Sequence, residues 1–129
     1  MGRNIARWLD RAYRINIERG SIYRVSLEPT TGSKKQGSEQ PGTARPCVVF
    51  SLSAYNRKLR TVCVVPLTSS PRALAPLIVP VPSAGKANSM ALCHQIRTID
   101  KTRIGKLLGT LSLDDLAVLE NGVRRVHGL

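Results

Sequence analysis

The sequence predicts a mainly β domain with some α: a small antiparallel barrel closed by a C-terminal helix. Three observations predict it. Short apolar runs rich in Val, Cys and Leu recur between residues 22 and 95, and loops rich in Gly, Pro and Ser separate them. The last apolar stripe, Leu113, Leu116, Ala117, Leu119, Val123 and Val126, has helical spacing instead. At 129 residues, the chain is long enough for one domain with a modest core and no covalent staples.

Along the chain, residues 1–18 form an N-terminal extension. Ile5, Trp8, Leu9, Ala12 and Tyr13 alternate there with Arg3, Arg7, Asp10, Arg11 and Arg14, the pattern of a short amphipathic helix. The main domain is expected over 19–129. Its first strand spans 22–27 and ends at Pro29 and Gly32, before a polar, exposed loop over 30–44. Strands follow at 47–52 and 61–67, joined by a short helical link at 53–57, and both have the apolar density of central strands. Segments 77–81 and 90–95 are further strands around the loop at 82–89, and Pro80 with Pro82 assigns the former to a sheet edge. Asp100 can cap a short helical turn through Ile104, and Ser112 with Asp115 has the form of a capping box opening the terminal helix.

Twenty Lys and Arg against eight Asp and Glu give a net charge of +12. A polyanion is the leading kind of partner for such a surface, whether nucleic acid, anionic membrane or acidic protein. The longest apolar stretch, near 73–81, is broken by Pro76 and Pro80 and is far shorter than the roughly 20 residues of a spanning helix. The N-terminus lacks the apolar run of a secretory signal. Cys47, Cys63 and Cys93 are odd in number, lie among apolar residues and lack metal-binding spacing, so they read as reduced core residues of a cytoplasmic protein. A thiol nucleophile at Cys93 beside His94 is the alternative. The eight acidic residues are scattered, and no metal or other cofactor is expected.

Four segments carry a resemblance: RGSIYRVSLEPTTGS at 19–33, GTARPCVVFS at 42–51, VCVVPLTSSPR at 62–72 and ALCHQIRTIDKTRIGKLLGTLS at 91–112. Their order and spacing resemble the MazF/PemK toxins, endoribonucleases of type II toxin-antitoxin systems. GSEQ at 37–40 is similar to a loop motif of that family, and GSKKQ at 32–36 reads as an insertion relative to it. The resemblance implies an SH3-like barrel of the CcdB/MazF kind, usually a homodimer. It also implies metal-independent cleavage of single-stranded mRNA at a short sequence, by attack of the 2′-hydroxyl to leave a 2′,3′-cyclic phosphate. The implied inhibitor is a cognate acidic antitoxin.

Several residues are candidates for that chemistry. Arg45 stands at a strand mouth before Pro46, and its guanidinium offers a charged, planar fork of donors suited to a phosphate gaining negative charge. Standing alone, such an arginine also fits a role as a strand border; the resemblance aligns it with the family's catalytic arginine. Thr68 ends the run VCVVPLT, where a hydroxyl commonly caps backbone. The resemblance pairs it with that arginine, with Ser69 as a weaker neighbour. His94 replaces an acidic residue of many relatives. Either it transfers protons near neutral pH or it bonds a backbone carbonyl at a strand end. Gln95, Arg97, Thr98, Lys101 and Arg103 are expected to contact RNA, although a basic run is ordinarily a solvated face. Two other classes stay open: a noncatalytic RNA-binding or antitoxin-binding module, and a CcdB-like gyrase poison. The ending VRRVHGL lacks the C-terminal tryptophan signal of the latter.

Overall fold

The computed structural model describes residues 16–27, 44–69, 72–86 and 88–129. The expected N-terminal helix and the insertion at 32–36 lie outside them. The elements are β1 (Ser21–Ser26), β2 (Ala44–Val49), α1 (Ser53–Asn56), β3 (Thr61–Thr68), β4 (Ile78–Pro80), β5 (Met90–Leu92), β6 (Arg97–Asp100), β7 (Ile104–Thr110) and α2 (Leu113–Val126). Single 3₁₀ turns occupy Pro82–Ala84, Cys93–Gln95 and Lys101–Arg103.

All seven strands join one antiparallel sheet in the order β4-β5-β3-β2-β1-β7, with β6 also paired to β3. β3 is the hub. On one side it meets β2, and on the other its first half meets β6 and its last two residues meet β5. Pro66 falls in the interval between those two partners, a place where a residue without an amide donor is tolerated inside a sheet. The expected edge position of the proline-bearing 77–81 segment is what the sheet contains, since β4 is its outermost strand.

Alternation along these strands builds a core on each side of the sheet. Ile22, Val48, Val65, Leu67 and Ala91 face one side, where Leu119 and Val123 of α2 cover them. Val25, Cys47, Val49, Val62, Val64 and Ile99 face the other, with Ile17. The two expected caps form: Ser112 Oγ accepts from the Asp115 amide at 3.1 Å, and Asp100 accepts from the Thr102 amide at 2.9 Å. Three expectations are corrected. The strand expected at 47–52 begins at Ala44 and ends at Val49; the one expected at 90–95 stops at Leu92 and passes into a 3₁₀ turn; and the basic run that starts at Arg97 contains the strand β6, followed at 104–110 by β7, for which the sequence predicts no strand.

Candidate active site

Arg45 lies on β2 in register with Val25 of β1. The β2–β3 pairing runs Val49↔Val64, Val48↔Val65, Cys47↔Pro66. Arg45 lies two residues before Cys47 and Thr68 two residues after Pro66, so both stand at the same end of this strand pair, and Thr68 is paired to Met90 of β5. Strand alternation then puts Arg45, Cys47, Pro66 and Thr68 on one face. Arg97 joins them there, because it pairs with Val64. The Cys47 thiol reports the neighbourhood: burial pushes its pKa up to about 12, against the opposing pull of Arg45 and Arg97.

Arg45 and Thr68 both line a cavity of about 570 Å³ formed where the strand ends open. Ala44, Pro46 and Ser69 continue its wall, and Ile22, Leu67 and Leu108 give it an apolar floor. Three cations reach it, Arg24, Arg45 and Lys86, and no carboxylate or imidazole is among the described residues that line it. Arg24 and Lys86 were not singled out from the sequence. Arg24 looks there like an ordinary charged residue on a partly solvated strand, and Lys86 like one charge in a Gly and Ser loop; only the period-2 pattern, which puts Arg24 on the face of Ile22, hinted at its position.

The other sequence candidates are dispersed. His94 is exposed in a 3₁₀ turn outside the cavity lining, and its Nδ1 makes a long contact of 3.4 Å with the Leu77 carbonyl. It follows Met90, the partner of Thr68, by four residues, which is on the order of 10 Å of chain. Gln95 is exposed beside it, 3.5 Å from its Nε2. Arg97 donates to the Leu27 carbonyl at 3.2 Å and Arg103 to the Ser26 carbonyl at 3.1 Å, so both guanidinium groups hold the end of β1. Thr98 is exposed, and its side chain bonds Cys63. Lys101 departs from expectation: it is only 3% exposed, and burial pushes its ammonium pKa down. An ammonium so enclosed is not presented to a polyanion. Cys93 is buried, with its thiol pushed up to about 11 by that burial, which disfavours the thiolate that a nucleophile at this position requires. Among the described residues, no group of three or more His, Cys, Asp or Glu is arranged to hold a metal ion, and no helix is long and apolar enough to cross a membrane.

Comparison with known proteins gives this geometry a family. The chain is 38% identical over 97 residues to Endoribonuclease PemK of Escherichia coli, an alignment covering 72% of this chain and 68% of that protein. Among solved structures, it is similar to an endoribonuclease from a mycobacterial species, with a TM-score of 0.70, 23% identity, and coverage of 89% of this chain and 94% of that one. A mycobacterial endoribonuclease in complex with its cognate antitoxin matches with a TM-score of 0.69 and 23% identity, over 87% of this chain and 95% of that one. At such identities, the structural likeness is one of fold. Residues 18–127, which hold both the strand pair carrying Arg45 and Thr68 and the helix that closes the sheet, match the family described as the PemK-like, MazF-like toxin of type II toxin-antitoxin systems, and the chain belongs to that family.

Proposed function

We propose that this toxin is a metal-independent endoribonuclease that cuts single-stranded mRNA, with Arg45 and Thr68 at its catalytic centre. The observation that carries the reading is their convergence: one cation from β2 and one hydroxyl from the neighbouring β3 line a single cavity without a neighbouring carboxylate among the described lining residues. In the reaction, the ribose 2′-oxygen attacks the adjacent phosphorus, the bond from phosphorus to the 5′-oxygen breaks, and a 2′,3′-cyclic phosphate and a 5′-hydroxyl end result. The 2′-hydroxyl loses a proton and the leaving oxygen gains one. Arg45 stabilises the charge that grows on the nonbridging oxygens, and the Thr68 hydroxyl donates to one of them and fixes the phosphate's orientation. RNA carries its own nucleophile, so the protein's main contribution is electrostatic.

Two partners follow from this reading. The cationic cavity that accepts RNA also accepts an acidic antitoxin segment, and one of the matching structures is an endoribonuclease held by its cognate antitoxin. The protein works in the cytoplasm as a homodimer, a state supported by the outer strand β7, where Leu107 is 55% exposed at the sheet edge.

The test is cleavage of a long mixed-sequence RNA in EDTA, with the cut ends mapped. Wild type should leave cyclic phosphate termini at a recurrent short sequence. Arg45→Ala should lose about 10²- to 10³-fold in rate, as does removal of one oxyanion donor elsewhere, and Thr68→Val should lose less. His94→Ala should keep the wild-type pH–rate profile, since the imidazole does not line the cavity. A wild type that binds RNA without cutting it favours the noncatalytic module instead.

A further inference from the structure

The cavity has a second cationic wall that the proposed chemistry leaves unused. Arg24, on β1, pairs with Pro46 of β2 and shares the face of Ile22 two residues before it. Lys86 enters from the 82–89 loop, where Gly85, at a φ of 113°, makes the turn that precedes it. That loop is tied in place: the Ser89 amide donates to the Lys86 carbonyl at 3.0 Å, and Asn88 Nδ2 donates to the Ser69 carbonyl at 3.3 Å. The Asn88 bond joins the loop to the end of β3, one residue beyond Thr68. Below the two cations lies the floor of Ile22, Leu67 and Leu108. Among the described residues, the ion pairs are Arg19–Glu120 and Arg60–Asp100, so no described carboxylate forms an ion pair with Arg24 or Lys86.

Cations gathered over an apolar floor repel one another until an anion enters. A nucleotide matches both halves of this surface, because its phosphate answers the charges and the flat face of its base covers apolar side chains. A volume of about 570 Å³ is in the usual range for small-ligand pockets. We propose that Arg24 and Lys86 form a subsite for the phosphate next to the scissile one, with the intervening base lying on Ile22, Leu67 and Leu108. The assignment rests on the ribonuclease reading of Arg45 and Thr68, and it names the part of the cavity that fixes the register of the RNA. Lys86 and Arg24 are positioning residues in this scheme, since they hold the strand while Arg45 meets the reacting phosphate.

The experiment uses the full chain and an RNA oligonucleotide containing the mapped cleavage sequence, with a 2′-deoxy nucleotide at the cut so that it binds without reacting. Affinity is measured over a range of salt. Arg24→Gln and Lys86→Gln should each weaken binding about tenfold and reduce the slope of log K against log salt by about 0.7, the value for one phosphate contact on a single strand. Lys86→Arg should restore both. Lys58→Gln, which removes an exposed charge outside the cavity, should leave the slope within error of wild type. A neutral methylphosphonate in place of the neighbouring phosphate should reproduce the loss in wild type and add nothing to the Arg24→Gln/Lys86→Gln double variant. Wild-type affinity and slope in the cavity variants overturn the subsite, as does an equal loss from Lys58→Gln or full additivity with the methylphosphonate. If the wild type fails to cleave the unmodified RNA in EDTA, the ribonuclease reading falls and takes the subsite with it; cleavage with unaltered binding in the variants sinks the subsite alone.

Discussion

At Asp100, the Thr102 amide donates to one carboxylate oxygen at 2.9 Å, and the Arg60 guanidinium donates to the other at 3.0 Å. The Thr102 amide and, after it, the Thr102 and Arg60 side chains hold this carboxyl below its ordinary value of 3.8. A depressed carboxylate contributes stability above its unfolded pKa and loses it as pH falls through the folded one. Asp100→Asn should therefore flatten the acid limb: between pH 5 and 2.5 its urea midpoint should fall less than that of wild type, and parallel curves would refute the assignment. Residues also set how much of the site was legible in the sequence. Arg45 opens one apolar run and Thr68 ends another, borders that alone also suit a strand entrance and a backbone cap, and it is the family resemblance that singles them out. Arg24 and Lys86 were not legible, because they are 62 residues apart in sequence and come to one cavity only in the folded chain. Lys101 failed for the opposite reason, since a sequence gives no sign that a lysine in a basic run is enclosed.

The elements show a similar division. The terminal helix was legible from its stripe and its capping serine, and β2 and β3 from their apolar density. β6 and β7 were not, because RTID and IGKLLGT lack clean alternation: β7 is exposed or half-exposed along its length, so little apolar patterning marks it. The seating of α2 yields a prediction at this scale. A Cβ built at Gly122 would come 2.5 Å from Cys93 Sγ and 3.2 Å from the Pro76 carbonyl oxygen, so the helix needs a glycine to approach the 3₁₀ turn. Gly122→Ala should cost about 1–3 kcal/mol in chemical unfolding, the usual range for overpacking. Adding Cys93→Ala, which removes the nearer obstacle, should recover part of that loss in a double-mutant cycle. Strict additivity of the two substitutions would show that the helix is seated elsewhere.

For the whole molecule, β4 and β7 stand at the two ends of the strand order, each with one neighbour among the described strands, and β6 pairs with β3. β4 is three residues long and ends in Pro80, a blunt edge, whereas β7 has seven residues and exposes Leu107. If two copies meet there, sedimentation of the wild type at micromolar concentration should give a dimer. Leu107→Glu should then shift it to monomer with unchanged circular dichroism. A wild type that sediments as a monomer removes β7 from the interface. The cavity has a consequence of another kind, because its floor joins Ile22 near the start of the fold to Leu108 near its end. A chain still emerging from the ribosome has the first residue long before the last, and domains of this size close as units. The cavity therefore takes shape only once both Ile22 and Leu108 are in place, so a nascent chain lacking β7 has an unfinished pocket.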